Sequence, residues 1–582
     1  MVESKDEFSK NIEQIILELK SLDIICDSYS LDFNINKIKN INEVLKNTEV
    51  QLKNIEKEDF STIEKLQMNA IKKGIYDKFM LEKSEIDRAK FKKKFDKIQN
   101  RGAIAKAIDV FFEREDIVDM KKENMFFAIK GYDLDGTKFI SSAVQNGASA
   151  IVIDETCNIA DYEVPESVTI LKVDNIRHTL AVASCNLYDN PSKKLKLIGV
   201  TGTKGKTTTT YMVKSILENA GYKVGLIGTI EAIIGDEVIP AANTTPESFV
   251  VQKYFRKMVD AGCDCVVMEV SSQGLMLHRT QGFVFDYGIF TNIEPDHIGP
   301  NEHRDFAHYL ACKSMLLRQC KVGIVNRDDE HFEKIIEGHT CNLETYGFSP
   351  EADLRAEDAH MVGGKGYLGI SYHVKGLMDF PVEIDIPGKF SIYNSLTAIA
   401  ICRHFKVSQE NIIKALKVAR VKGRIEMIKV SNEFTLMIDY AHNAMALESL
   451  LTTLREYHPH RLVCLFGCGG NRAKSRRYEM GEVSGRMADL TIITSDNPRF
   501  EEPQAIIDDI KTGIAKTNGK YVEICDRKEA IAYAIHHGEP GDIIVLAGKG
   551  HEDYQEIKGK KYPMDERVLI AEILKEDQEK DQ

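Results

Sequence analysis

The stretch "LIGVTGTKGKTTTTYMVKSILENAGYKVGLIGT", Leu197 to Thr229, puts two glycines, two lysines and four consecutive threonines between an apolar run and a helical pattern. A strand that runs into a glycine-containing turn and then into a helix presents backbone N–H groups and a helix N-terminus to an anion, an arrangement that cradles polyphosphate. In such a loop Lys206 reaches the β- and γ-phosphates, and Thr207 or Thr208 holds Mg2+. Val200 stands where the strict G-x-x-x-x-G-K-[ST] spacing has its first glycine, so an ordinary strand-to-helix turn is the plainer alternative. No Asn-Lys-x-Asp guanine signature occurs; the nearest run, "VNRDD" from Val325 to Asp329, has arginine at the lysine position, and ATP is the expected nucleotide.

Two further stretches carry residues able to do chemistry. Glu269 ends a buried-type strand in "VVMEVSSQGL", where a carboxylate at the C-terminal tip reaches a ligand in the crevice; an exposed turn glutamate is the alternative. Downstream, "FTNIEPDHIGPNEHRDFAHYLACKSMLL" contains His297 and Lys313. Lys313 shares a helix with Leu310, Leu316 and Leu317, and its position alone favours a lysine snorkelling from an apolar face.

The elements that must hold these residues follow from patterning. At 582 residues the chain needs several cores. A formal charge of −12 excludes a general binder of nucleic acid or of anionic membrane surfaces, and small molecules are the expected partners. Twelve cysteines without CxxC or zinc-type spacing read as reduced thiols; with neither a membrane-length apolar run nor a signal-type N-terminus, a cytoplasmic location without membrane insertion is expected. Residues 1–100 have no proline and no glycine before Gly74, and apolar residues recur at helical spacing from Phe8 to Leu22 and from Ile38 to Ile55. This reads as a helical appendage packed on itself or on the body, with a coiled coil for a protein partner as the alternative.

From Gly102 the texture becomes α/β. "MFFAI" and "ASAIVI" are strand-like around a helical "TKFISSAVQNG". "LIGVTG", "KVGLIGT", "CDCVVMEV", "YGIFTNI" and "VGIVN" predict one parallel sheet covered on both faces, and "LVCLFG", "LTIITSD", "YVEIC" and "DIIVLAG" predict a second after Gly423.

Ten motifs in order, "GVTGTKGKTT", "NTTPE", "MEVSS", "FTNIEPDH", "IPGKFSIYNSLTAIA", "VKGRIE", "IDYAHNAMALE", "FGCGGNR", "SDNPR" and "AGKGHEDYQ", resemble the Mur ligases from about Asp116 to the C-terminus. Within them the likeness is to the tripeptide synthetases, which add the third residue to the UDP-N-acetylmuramoyl peptide of peptidoglycan. The resemblance implies a helical extension (1–100), a small α/β substrate domain for a UDP-sugar-like group (101–192), a central P-loop ATPase domain with a parallel sheet (193–422) and a Rossmann-like amino-acid domain (423–582). Val421 to Gly423 is the expected hinge.

By the same resemblance, an acyl phosphate is made from ATP and a substrate carboxylate, and an amine captures it. Catalysis is implied for Lys206, Glu269, His297 and Lys313, with Lys313 as a carbamate. Two Mg2+ sites are implied, drawing on Thr207, Glu269, His297 and the Lys313 carbamate. ATP contacts are implied for Gly202, Thr203, Gly205, Lys206, Thr207, Thr208, Asn292, Asn394, Arg424 and Asp439. The acceptor, a nucleotide-sugar peptide, falls to Thr244, Thr245, Ser271 and Arg279. The incoming amino acid falls to Arg472, Asp496, Asn497, Arg499, Gly548 and Glu552. An arginine clasps a carboxylate bidentately and Asp, Asn and Glu hold an ammonium.

"DNPR" accompanies meso-diaminopimelate, whose distal carboxylate matches Arg499; pairing of Arg499 with Glu501 or Glu502 is the plainer alternative. Asn471, where aspartate is usual, and "FTNIEPDHIGPNEH" resemble a subset associated with lysine addition. Ile117 and Val118 follow Asp116 where the family has Ser-Arg for the uridine. A ligase for another carboxylate, such as a pseudomurein precursor or polyglutamate-like chain, and a catalytically silent nucleotide-binding scaffold are the alternatives.

Overall fold

Strands form where aliphatic residues run without charge, and their alternation assigns each side chain to a face. The computed structural model describes residues 125–131, 135–299, 302–364 and 366–580. The predicted helical appendage and Asp116, Ile117 and Val118 lie outside the described residues. Backbone contacts divide the chain into two compact units, meeting between Ile176 and Arg177.

The described part of the first unit is a three-stranded parallel sheet, β1 (Met125–Phe127), β2 (Ala150–Asp154) and β3 (Thr169–Val173), in that order. The expected helix in "TKFISSAVQNG" is there, as a 3-10 turn Gly136–Phe139 capped by Asp135 and continued by an α-helix Ile140–Gln145. Phe126, Phe139, Ile140, Ile151 and Ile153 form its core.

In the second unit, β4 (Lys196–Thr201) to β14 (Phe380–Ile384) build an eleven-stranded sheet. The strands between are β5 (Val224–Ile227), β6 (Glu231–Ile234), β7 (Glu237–Pro240), β8 (Cys265–Glu269), β9 (Phe285–Phe290), β10 (Cys320–Asn326), β11 (Asn342–Gly347), β12 (Leu354–Gly364) and β13 (Tyr367–Gly376). The order is β7-β6-β5-β8-β4-β9-β10-β11-β12-β13-β14. The five predicted strands, β5, β8, β4, β9 and β10, are parallel, β11 and β12 continue them in parallel without having been predicted, and β6, β7, β13 and β14 extend both edges antiparallel. β6, β13 and β14 escaped the sequence reading because buried residues are interspersed with more accessible ones instead of forming an apolar run, and β7 because none of its residues is buried.

Both faces of the parallel part are covered. On β4, Ile198 and Val200 join one apolar cluster and Leu197 the other; on β8, Cys265 and Val267 face one side, Val266 and Met268 the opposite. The first cluster is covered by helix α1 (Lys206–Asn219), through Met212, Val213 and Ile216, and the second by Val251, Phe255 and Met258 of the helix Ser248–Asp260. Helices α2 (Ser272–Met276), α3 (Phe306–Ser314) and α4 (Lys389–His404) flank the strand ends used below.

The third sheet comprises β15 (Glu426–Ile428), β16 (Thr435–Asp439), β17 (Leu462–Phe466), β18 (Leu490–Ile493), β19 (Tyr521–Glu523) and β20 (Ile543–Ala547), ordered β15-β16-β20-β17-β18-β19 with only β15 antiparallel. A hairpin of β21 (Tyr554–Ile557) and β22 (Lys560–Pro563) follows. Between the two large sheets, Tyr457 donates to the Gly369 carbonyl at 2.7 Å and accepts from the Gly388 N–H at 3.3 Å.

Among the described residues no helix is long and apolar enough to cross a membrane. The C-terminal helix Glu566–Lys580 is tied to the third sheet by Arg527 and Glu566, both almost fully buried, at 2.8 Å. Arg527 also donates to the carbonyls of Ser495 and Ala547, at the strand ends. Arg527→Met leaves a buried carboxylate unpaired and costs about 3–5 kcal/mol in denaturant unfolding. The double change with Glu566→Leu recovers most of that loss.

Candidate functional site

The loop after β4 is built by two glycines. Gly202 has φ +144° and Gly205, which caps α1, has φ +84°. A Cβ on Gly202 would lie 1.9 Å from Thr291 Oγ1, and one on Gly205 2.4 Å from Asn394 Oδ1. Both positions therefore need glycine for conformation and for space. Asn292 braces the loop by accepting from the Lys204 N–H (2.9 Å) and donating to its carbonyl (3.1 Å). Thr203 Oγ1 meets Tyr309 Oη at 3.0 Å and accepts from the Glu294 N–H. The α1 N-terminus thus opens at the C-terminal ends of β4, β8 and β9, where the chain switches from one side of β4 to the other.

Two amines converge on one carbonyl there. Lys206 Nζ donates to the Gly202 oxygen at 2.8 Å and Lys313 Nζ to the same oxygen at 2.7 Å. Lys313 is not a snorkelling surface lysine: it is 2% exposed. Burial holds its pKa well below the ordinary lysine value, and the Lys206 charge lowers it further. Burial also lowers Lys206, with Glu269 opposing.

Glu269, fully buried at the end of β8, accepts from Thr207 Oγ1 (3.1 Å), Thr229 Oγ1 (2.9 Å) and the Thr229 N–H (2.9 Å). All three donors are neutral. A buried carboxylate beside a threonine hydroxyl is the hard-oxygen donor set that Mg2+ takes, and the lysine amines beside it match an anionic phosphate chain. Thr208 is partly exposed on the first turn of α1.

His297 has φ +53°, and its Nδ1 lies 3.0 Å from Glu302. Its side chain is 54% exposed and its ring centroid lies 6.2 Å from that of Tyr309, over which Lys313 Nζ sits at 4.8 Å.

The expected acceptor residues form one network under β8. Thr245 Oγ1 donates to the Glu269 carbonyl and accepts from the Ser271 N–H, while Thr244 Oγ1 meets Thr229 Oγ1 at 3.1 Å. Ser271 caps α2 by accepting from the Gly274 N–H. Arg279 donates to the Thr245 carbonyl (3.0 Å) and pairs with Glu247 (2.8 Å).

In the third sheet, Asp439 closes β16. It accepts from the N–H groups of Ile425 and Ala441, and burial pushes its pKa up against the lowering effect of Arg424. Arg424 stacks over Tyr440 at 4.7 Å. Asn394, on α4, accepts from Thr209 Oγ1. Gly548 has φ +106° and donates to the Asp439 carbonyl. Gly423, in the expected hinge, has φ +68°, and a Cβ there would meet Gly550 and His551 backbone atoms near 2 Å.

Asp496, Asn497 and Glu552 come together, but the ammonium they hold is the protein's own. Lys549, fully buried, lies 2.8 Å from Glu552 Oε2, 3.0 Å from Asn497 Oδ1 and 3.4 Å from Asp496 Oδ1. Arg499 pairs with neither Glu501 nor Glu502: its Nε donates to Glu556 at 3.0 Å and Nη1 to the Gly470 carbonyl at 2.9 Å. Glu501 is taken instead by buried Arg477. Asn471 adopts φ +53° and its Oδ1 accepts from the Phe500 N–H, so asparagine there has a local conformational reason. Arg472 is exposed. Sequence reading missed Lys549, Thr229 and Glu556, although the first two lie inside stretches it quoted.

Sequence patterns of the Mur ligase family cover most of this architecture. The Mur ligase middle domain matches residues 200–402, the Mur ligase glutamate ligase domain 423–550, and the Mur ligase family catalytic domain 118–188. The UDP-N-acetylmuramoyl-L-alanyl-D-glutamate–2,6-diaminopimelate ligase 1 of Clostridium acetobutylicum is 44% identical over 460 residues, which are 78% of this chain and 93% of that protein. The chain belongs to the Mur ligase family. The corresponding ligase of Clostridium tetani is 43% identical over 472 residues, 81% of this chain and 96% of that protein. A solved structure of a UDP-N-acetylmuramoyl-L-alanyl-D-glutamate–2,6-diaminopimelate ligase superposes with a TM-score of 0.58 at 27% identity, covering 79% of this chain and 93% of that one. The three-domain Mur ligase fold is therefore the architecture that carries the loop, the buried carboxylate and the third sheet's network.

His551 of this Mur ligase packs 4.7 Å from the Tyr440 ring. Burial, with the Arg424, Lys422 and Arg567 charges, depresses its pKa from 6.5 to about 4. The unfolded chain then binds the extra proton first, so this residue's contribution to stability is complete above about pH 6.5 and is lost as pH falls towards 4. The stability difference between wild type and His551→Asn, read from urea unfolding at several pH values, shrinks across that window.

Proposed function

We propose that the chain is an ADP-forming acid–amino-acid ligase that adds meso-diaminopimelate to UDP-N-acetylmuramoyl-L-Ala-D-Glu in peptidoglycan synthesis. The convergence of Lys206 and Lys313 on the Gly202 carbonyl, beside buried Glu269, carries this reading. A carboxylate oxygen of the acceptor takes the γ-phosphoryl group of ATP with loss of ADP; the amine then attacks the acyl carbon and inorganic phosphate leaves.

Mur ligases use ATP and Mg2+. Mg2+, when bound, neutralises charge on the transferring phosphoryl group. Thr207 and Glu269 would hold it, and a second ion would use His297 and a carbamate on Lys313. Burial supports the carbamate, because only an unprotonated amine adds to CO2 and Lys313 is held well below its usual pKa. Gly202, Thr203, Gly205 and Thr208 frame the triphosphate, Asn292 stiffens that frame, and Asn394, Arg424 and Asp439 receive the rest of the nucleotide. Thr244, Thr245, Ser271 and Arg279 face the acceptor carboxylate.

For the amino acid, Arg499 clasps the distal carboxylate, with Arg472, Asp496, Asn497, Gly548 and Glu552 around the remaining groups. Glu556 and the Gly470 carbonyl hold Arg499 through two of its nitrogens, a fixed orientation that supports recognition of a carboxylate over the bare ammonium of lysine. The domains are read as extension 1–100, UDP-sugar domain 101–192, ATPase domain 193–422 and amino-acid domain 423–582, hinged at Val421 to Gly423. Free thiols throughout the described residues support a cytoplasmic site of action.

ADP release is measured with the UDP-muramoyl dipeptide and, in parallel, meso-diaminopimelate, L-lysine or no amino acid; turnover with diaminopimelate alone is expected, and silence with every amino acid defeats the reading. Arg499→Ala lowers kcat/KM for diaminopimelate about 10- to 100-fold, since hydrogen bonds to charged groups are worth about 1.5–3 kcal/mol. Lys313→Ala is nearly inactive and is partly rescued by short-chain carboxylates; full activity would remove the carbamate from the mechanism.

A further inference from the structure

Beside the phosphate site, but chemically unlike it, lies a cluster of nitrogen and sulfur donors. His303 is fully buried in the turn that precedes α3. His308, on the first turn of α3, and Cys312, one turn further on, are spaced i and i+4 and so share a helix face. His303 Nδ1 lies 3.4 Å from His308 Nδ1, and His308 Nε2 lies 3.5 Å from Cys312 Sγ. One donor atom from each residue can be chosen so that all three lie within 4.8 Å of one another.

We propose that His303, His308 and Cys312 form a binding site for a divalent transition metal of the Zn2+ class, separate from the Mg2+ site of the ligase. Zn–N bonds of about 2.0–2.1 Å and a Zn–S bond of about 2.3 Å place neighbouring tetrahedral ligands roughly 3.3–3.8 Å apart. The two short separations use different nitrogens of His308, and with one donor atom from each residue the set lies within 4.8 Å, so binding requires the His308 ring to turn and the three side chains to draw together around the ion. Three protein ligands leave the fourth position to water.

Support for the ligands is already built. The other ring nitrogen of His303, Nε2, lies 2.8 Å from Ser272 Oγ, itself buried on α2. A hydrogen bond on the far nitrogen fixes the ring and directs the Nδ1 lone pair into the cluster, as outer partners of metal-bound histidines do. The His303 N–H donates to the His297 carbonyl and its own carbonyl accepts from Gly299, so the third ligand comes from a turn held by its backbone. Selectivity follows from donor type. A set of imidazole and thiolate donors suits Zn2+ and Co2+, whereas Mg2+ favours sets dominated by oxygen donors, such as the Thr207–Glu269 side.

The test titrates the metal-stripped full-length protein with Co2+ in excess Mg2+ and follows thiolate-to-cobalt charge transfer in the near ultraviolet. One equivalent is expected to produce the band, one equivalent of Zn2+ to remove it, and further Mg2+ to leave it unchanged. Cys312→Ser abolishes the band, while Cys525→Ser, at an exposed thiol, retains it. Ser272→Ala keeps the band and weakens Co2+ binding by about 10- to 100-fold, the usual loss of an outer partner. His308→Ala, at a partly exposed helical position, weakens binding at least tenfold and decides the matter even if Cys312→Ser fails to fold. Absence of a thiolate band at one equivalent in the wild type, its survival in Cys312→Ser, or unchanged affinity in His308→Ala overturns the proposal.

Discussion

Two buried lysine amines are held against one peptide oxygen, and Glu269 offsets only part of the cost of that burial for Lys206. Lys206 and Lys313 come from helices far apart in sequence; burial lowers the proton affinity of both, and the Lys206 charge lowers that of Lys313 further. Such an arrangement persists only where the backbone gives it no choice. Gly202 supplies a conformation that a side chain would block against Thr291, and Asn292 locks the following peptide from β9. The site's chemistry thus begins with a strained, sterically enforced loop whose natural complement is polyanionic.

The sheet order converts that loop into a crevice. β4 is central, with β8 on one side and β9 on the other, so the three strand ends deliver Thr201, Glu269 and Thr291 to a common edge. Glu269 is held by hydroxyl and amide donors rather than by a cation, which keeps its charge available to a metal. α3 then returns over the same edge and inserts Lys313 from above. The same helix brings His308 and Cys312 to its neighbouring face, so one short element places a buried amine and a nitrogen/sulfur cluster at adjacent positions.

In the third sheet, charge balance is local and nearly complete. Lys549 compensates Asp496 and Glu552, Arg477 compensates Glu501 and Asp509, and Arg499 is steadied by Glu556. Buried charges that lack such partners would be costly, so these pairings fix the orientation of the side chains they join. The packing of Gly423 against Gly550 and His551 joins this network to the segment leading from the central sheet.

Local sequence determined the phosphate loop, the buried parallel strands and the family likeness. Their signals are short-range: glycine where φ is positive, a lysine and a threonine at the start of a helix, and uncharged aliphatic runs for strands buried on both faces. The sheet's antiparallel edges were not legible, because half-exposed strands such as β13 lack that apolar signature. Lys313 shows the limit most clearly. Its helix face, taken alone, describes a snorkelling lysine, and only the return of α3 over the Gly202 carbonyl buries its amine. Likewise Lys549 owes Asp496 and Asn497, and Glu556 owes Arg499, to contacts between distant segments, and such pairings are decided by the tertiary fold because no local spacing encodes them.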